Sequence, residues 1–333
     1  MKTLPRFHIK EKNSSQDGLV QGKISQENTQ TQVIVRKKRR LKYIAVLPSF
    51  ITLMNGACGF MSIVFASRSP ALGWTLSFIR RSYLTPFTLA GYFIFLAMLA
   101  DMLDGRVARL TRTTSSFGGQ LDSLSDVISF GIAPAFLMVK LSEFSMEQYR
   151  SGSLRFTMLI GRGLFFSAIL YSMCAVVRLA RFNVENEEDE ASHMNFSGLP
   201  SPAAAGVVVS IVVLHQQIHQ RTMNGTIAAF RNLDILPVFV LPAITLLAGI
   251  LMVSRVRYPH LPNQILRGKK TPAALLAFFA SALLIVWNIS LAMVIGFCGF
   301  AFFGVIRWII LAGSRKKALR AAKTNDSASP RKN

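Results

Sequence analysis

Acidic residues are scarce in this chain. Its 333 residues include 16 Asp and Glu against 38 Lys and Arg, only 16% of the chain is charged, and 51% is hydrophobic. A soluble domain carries about a quarter charged residues, so water is not the main solvent here. Cysteine is equally sparse. Cys58, Cys174 and Cys298 each lie in an apolar stretch, without the mutual spacing of a disulfide framework or a zinc site, and read as small buried hydrophobes. No apolar run lies near Met1. Residues 1–35 are polar and rich in Gln, Ser and Lys, which predicts a disordered arm and not a cleaved secretory signal. No internal repeat is visible, which weighs against a transporter built on duplicated halves.

What is present is apolar length and positive charge. The cluster Arg36, Lys37, Lys38, Arg39, Arg40 and Lys42 would need a soluble domain beside it to read nucleic acid, but an apolar stretch begins at once. It therefore predicts a membrane anchor and no nucleic-acid partner. A bilayer-spanning helix needs about 20 mostly apolar residues. Such stretches lie near 44–67, 86–106, 120–139, 156–180, 199–217, 234–253, 271–287 and 290–312, giving an all-α polytopic membrane protein of about 8 spans. With that count one membrane side collects 28 basic residues and the other 9, with Arg307 inside the last span. The positive-inside rule then places both termini in the cytoplasm, in the cell membrane. The expected organisation is a 1–35 arm, one membrane domain over 36–313 and a basic tail over 314–333.

Four of the few carboxylates fall within 26 positions, in LADMLDGRVARLTRTTSSFGGQLDSLSDVISFGIAPA. Ionisable groups at membrane depth are costly and mark a functional site by default, whereas a helix-cap role explains one of the four at most. At about 100° per residue, Asp101, Asp104, Gly105 and Ala108 share an arc of one helix, and Gly118, Asp122 and Asp126 share one face of the next. A short turn from Leu110 to Phe117 lets the two faces oppose each other. Four anions in one cleft need a positive counterpart, and hard oxygen ligands without His or Cys suit Mg²⁺ or Mn²⁺, as a pair bridged by carboxylate and a substrate phosphate. Gly105 and Gly118 let a ligand or the opposing backbone approach closely, or serve helix packing alone. Arg109 is placed either to bind a phosphate or to snorkel.

Asp101, Asp104, Gly105, Ala108, Arg109, Gly118, Asp122 and Asp126 fill the pattern DxxDGxxARx8GxxxDxxxD without a mismatch. The chain thereby resembles the CDP-alcohol phosphotransferase family, membrane enzymes that move a substituted phosphate from a CDP-linked donor to an alcohol and release CMP. The resemblance implies that the four aspartates hold two divalent metals against the donor pyrophosphate, and that Asp126 is also the base for the acceptor hydroxyl. Asp104, Gly105, Ala108, Arg109 and Gly118 would then line the nucleotide site. It further implies a homodimer.

Two more segments, RLARFN at Arg178–Asn183 and FSGLPSPAAAG at Phe196–Gly206, resemble the bacterial phosphatidylserine synthase branch of that family. LPSFITLMNGACGFMSI resembles the branch's opening helix, with Thr52 and Asn55 facing the nucleotide. The branch implies CDP-diacylglycerol and L-serine as substrates. Arg178 and Arg181 lie on the aspartate side of the membrane, where they would clamp a serine carboxylate, hold the phosphate of glycerol 3-phosphate or an inositol phosphate, or act as anchors. An ion transporter built on the intramembrane aspartates is the remote alternative. His215 and His219 share a helix face but have no third ligand nearby, which reads as interfacial polarity. The acidic run from Glu185 to Glu190 is expected to be a solvated loop.

Overall fold

A computed structural model of the chain describes residues 46–68, 84–111, 116–148, 154–188, 198–223, 236–254, 256, 258 and 287–328; side chains at several helix ends, among them 108, 109, 185–188 and 311–328, lie outside that description. Among the described residues the bundle has eight α-helices. They are α1 (Val46–Ala66), α2 (Pro86–Thr111), α3 (Ser116–Asp126), α4 (Ala133–Gln148), α5 (Leu154–Glu188), α6 (Ser201–Met223), α7 (Leu241–Val253) and α8 (Ile289–Ala328). A π-helical turn, Val127–Ile132, joins α3 to α4, and a second, Leu236–Val240, leads into α7. No strand occurs among the described residues.

Helix starts obey local chemistry. Thr85 precedes Pro86, whose missing N–H costs nothing at a first helical position, and the Thr85 Oγ1 accepts the Thr88 N–H at 3.1 Å. At α8, the Asn288 side-chain oxygen accepts the N–H groups of Ser290 and Leu291 at 3.1 and 3.2 Å. Among the described residues, seven helical stretches are long and apolar enough to cross a membrane, with α3, the π turn and α4 forming one of them from Phe117 to Glu147. The chain is a multi-pass membrane protein.

Lipid solvates apolar side chains as well as a core does, so close packing holds these helices together. Buried alanines at 90, 97, 133, 135, 175, 204 and 205 let the backbones approach. One close approach is at Gly59 of α1, where a Cβ would lie 2.7 Å from the Ser129 Cα. The outward faces of α5 and α8 present Phe165, Phe166, Ile169, Phe302, Phe303 and Ile309 to the lipid. Helices α1 and α2 pack on each other, α2 on α6, α5 on α7, and α6 on α8.

Contacts along the bundle fix its direction. Thr52 and Asn55 near the start of α1 meet Asp104 late in α2 and Asp126 early in the third span, and Arg178 late in α5 meets Ser201 at the start of α6. Thr85 and Gln216 meet at the opposite end. Helix α7 finishes at the aspartate end. Just beyond it, Tyr258 packs on α8, its hydroxyl donating to the Ala301 carbonyl at 3.3 Å, while Phe297 one turn earlier in α8 stacks on Phe95 deep in the bundle. Helix α8 therefore starts at the far end and finishes at the aspartate end. The expected span at 271–287 lies, apart from its last residue, outside the described residues.

The structure corrects one expectation outright. Helix α5 continues through Glu188, so most of the acidic run from Glu185 belongs to a helical extension and not to a loop. Helix α8 likewise runs on to Ala328, well past its apolar stretch.

Candidate active site

Two helices and one wide turn set the carboxylates. Asp101 and Asp104 lie one turn apart near the end of α2, and Asp122 and Asp126 lie one turn apart on α3. Directly after Asp126 the Ala133 N–H reaches back five residues to the Ile128 carbonyl, forming the π turn. Such a turn inserts one extra residue and rotates the helix before it relative to the helix after it. The aspartate face of α3 can thus point to α2 while α4 keeps its own apolar face in the core. Helix α5 holds the turn in place: the Tyr171 hydroxyl donates to the Phe130 carbonyl at 2.9 Å, and the Ser172 Oγ to that of Gly131 at 3.2 Å.

Asp101, Asp122 and Asp126 each offer a carboxylate oxygen, and all three oxygens lie within 4.8 Å of one another. At that spacing, with an effective dielectric of about 20, each pair of anions repels by on the order of 3 kcal/mol. Asp104 is not part of this triplet. It is buried and its Oδ2 accepts the Thr52 hydroxyl. Asn55, also buried, donates from Nδ2 to Asp126 Oδ1 at 2.9 Å, while its own backbone carbonyl accepts the Ser129 hydroxyl at 2.8 Å. Thr52 and Asn55, expected to face a nucleotide, are therefore in direct contact with the aspartates. The Asn55 side-chain oxygen is buried and has no hydrogen-bond partner among the described residues.

A cation reaches the cluster. The half-buried Arg178 guanidinium interacts electrostatically with Asp101 and Asp126, and its Nη1 donates to the Ser201 hydroxyl at 2.7 Å. Arg181, three residues on, is exposed. Gly105 is exposed on α2 and Gly118 half-buried in the first turn of α3. Ala108 and Arg109 continue α2, and their side chains lie outside the described residues.

Three features carry no signal in the sequence. Asn183 Nδ2 donates to the hydroxyl of Ser123 at 2.8 Å, tying RLARFN to the residue next to Asp122. Ser201 meets Arg178 across 23 positions of chain. Gly198, at φ 97°, takes a left-handed conformation that a side chain would strain, and a Cβ there would collide with the Met252 carbonyl oxygen. RLARFN and FSGLPSPAAAG stand out as segments, but the partner of each residue sits on another helix, where no local spacing points to it. His215 is buried and its ring stacks on that of His219 at 6.0 Å. Among the described residues, neither belongs to a group of three metal-ligating side chains.

The donor set fits a hard divalent cation. Three converging carboxylates supply charged oxygens, and the unpartnered Asn55 oxygen beside Asp126 offers a fourth, neutral one. The surplus negative charge is what such an ion offsets.

The same family and relatives emerge from comparison with known proteins. Residues 45–231 match the family model for CDP-alcohol phosphatidyltransferase. A Helicobacter pylori protein (strain ATCC 700392 / 26695) named CDP-diacylglycerol–serine O-phosphatidyltransferase is 32% identical over 248 residues, covering 74% of this chain and 90% of that protein. One of the same name from Methanocaldococcus jannaschii is 30% identical over 225 residues, covering 68% and 79%. A Saccharomyces cerevisiae protein of that name is 32% identical over 173 residues, about half of each chain. With its helical bundle, its carboxylate cluster and these matches together, the chain belongs to the CDP-alcohol phosphatidyltransferase family.

Proposed function

We propose that this protein transfers the phosphatidyl group from CDP-diacylglycerol to L-serine, giving phosphatidylserine and CMP. The observation that carries the reading is the triplet Asp101, Asp122 and Asp126 with Arg178 beside it, in a chain whose relatives bear the name of that activity. The carboxylates would hold one or two Mg²⁺ or Mn²⁺ ions. When bound, the metal offsets the charge of the donor pyrophosphate and stabilises the departing CMP.

The remaining work falls to the protein's own groups. Asp126, oriented by Asn55, accepts the proton of the serine hydroxyl as that oxygen attacks the lipid-side phosphorus. A new O–P bond forms, the bond from that phosphorus to the bridging oxygen breaks, and the electron pair leaves with CMP. Among the described residues neither Cys nor His joins the carboxylate triplet, and a single direct displacement fits the site. Asp104, held by Thr52, and the adjoining Gly105, Ala108, Arg109 and Gly118 border the nucleotide. Arg178 takes the carboxylate of serine, with Arg181 as the outer cation.

Helix α1 begins and α8 ends at the aspartate end, where the sequence concentrates its basic residues, which supports a site facing the cytoplasm. The donor then lies with its acyl chains among the spans and its nucleotide in water. That arrangement accounts for chemistry at a helix end. The test is CMP release by purified protein with CDP-diacylglycerol and Mg²⁺ or Mn²⁺, comparing serine, glycerol 3-phosphate and inositol, with the lipid product identified by mass. Serine-dependent release with phosphatidylserine formed supports the reading. Release driven by another acceptor reassigns the alcohol, and no metal-dependent release with any alcohol from folded protein overturns the enzyme reading and reopens those of a transporter or a membrane scaffold.

A further inference from the structure

The Arg178–Ser201 bond links the aspartate cluster to the FSGLPSPAAAG segment, and the backbone around Ser201 is fixed from both sides. Gly198 N–H donates to the Val256 carbonyl at 2.8 Å and Leu199 N–H to that of Leu251 at 3.0 Å, fastening the turn to the end of α7. Ala204 N–H donates to the Pro200 carbonyl at 2.9 Å, opening α6. Ser201 itself is fully buried. Its oxygen accepts from Arg178 Nη1 at 2.7 Å, so its own proton remains available for donation, and this bond engages only one edge of a five-donor fork. A flexible arginine beside three carboxylates would otherwise collapse onto them as an ion pair. Anchored on Ser201, its guanidinium is held between the carboxylates and the start of α6.

Resting on the acceptor reading above, we infer that Ser201 is a positioning residue that makes Arg178 a carboxylate-recognising group and thereby sets the preference for an amino-acid acceptor over the corresponding amino alcohol. Serine and ethanolamine share the reacting hydroxyl and the ammonium and differ by one carboxylate. That difference is what the Arg178–Ser201 pair is built to read. Asp126 and the metal-binding carboxylates do not distinguish the two, because they meet the hydroxyl and the donor, which are common to both.

The experiment is steady-state CMP release with serine or ethanolamine as acceptor, by full-length protein in detergent, for the unsubstituted chain, Ser201→Ala, Ser201→Thr, Arg178→Lys and the double variant Arg178→Lys with Ser201→Ala. A hydrogen bond to a charged group is worth about 1.5–3 kcal/mol, so Ser201→Ala is expected to raise the serine KM on the order of tenfold or more. The KM for CDP-diacylglycerol and the ethanolamine rate stay within about threefold, which narrows the selectivity. Ser201→Thr, which keeps the hydroxyl, restores most of the loss. Adding Ser201→Ala to Arg178→Lys raises the serine KM little further, because one residue acts through the other. An unchanged serine KM in a folded Ser201→Ala protein overturns the inference, as do additive effects in the double variant. If Ser201→Ala does not fold, Ser201→Thr with impaired serine KM and normal thermal stability overturns it too. Absence of serine-dependent release from the unsubstituted protein overturns the functional reading and this inference with it, whereas its presence with unaltered variants overturns the inference alone.

Discussion

At one end of the bundle Asp104 and Asp126 are buried among Thr52, Asn55, Ser125 and Ser129; at the other, Thr88, Ser142, His215 and Gln216 are buried just as deeply. The buried groups at the far end form neutral pairs, and the ion pair there, Lys140 with Glu143, is half-exposed and balanced. Thr85 donates to Gln216 at 3.0 Å and shares a 2.9 Å bond with Thr88, and the Ser142 hydroxyl donates to the Pro237 carbonyl at 2.6 Å across the start of the second π turn. The Thr85–Gln216 and Ser142–Pro237 bonds join separate helices, and none of the three carries net charge. At the aspartate end Thr52 and Asn55 point at carboxylates, and the carboxylates crowd one another with Arg178 as a balancing cation. Buried polarity that balances itself is architecture, and buried polarity with an unbalanced charge marks a binding site.

Substitutions can break that contrast. The largest effect is expected for Asp126→Asn, which keeps the shape and removes the proton acceptor. CMP release should fall by about 10²–10⁴-fold while the protein elutes as a folded species from size-exclusion chromatography. Near-normal turnover would show that the base is another group. Next comes metal removal: a chelator should abolish release, Mg²⁺ or Mn²⁺ should restore it, and the thermal midpoint should rise on readdition, since an ion that binds only the folded state stabilises it. An unmoved midpoint with unchanged activity would remove the metal from the account. Asn55→Ala deletes the orienting donor and the unpartnered oxygen, and a loss of about 10–100-fold in activity or metal affinity is expected.

How far these residues are legible in the sequence differs between the two ends. The aspartate motif is legible because its spacing is local: residues three or four apart share a helix face, and a short turn brings two faces together. The apolar spans are legible for the same reason, since length and composition decide them. The π turn after Asp126 is not, because VISFGI carries no signal distinguishing it from α-helix and its wide turn is held by Tyr171 and Ser172 on another helix. Neither is the distinction between Arg178 and Arg181, which look alike in RLARFN and part only when one of them meets Ser201. The acidic end of α5 reads as loop if its charge alone is weighed, yet glutamate is a good helix former and the helix simply continues through it.

The smallest effects sharpen the comparison from the far end. Ser142→Ala removes one neutral hydrogen bond, and stability should fall by about 1 kcal/mol, read as a lowered thermal midpoint, with CMP release within about twofold of the unsubstituted protein. A large loss of activity there would make the far end part of the machinery and dissolve the contrast.

The central claim is that the surplus charge at the aspartate end is a binding site for divalent cations. Its most direct test is a Mn²⁺ titration of purified protein monitored by electron paramagnetic resonance, with the Asp101→Asn and Asp122→Asn double variant and the His215→Ala and His219→Ala double variant alongside. Saturable binding of one or two ions to the unsubstituted and histidine-substituted proteins, lost from the aspartate-substituted one, is the result predicted. Binding that survives removal of Asp101 and Asp122, or disappears with the histidines, would contradict it.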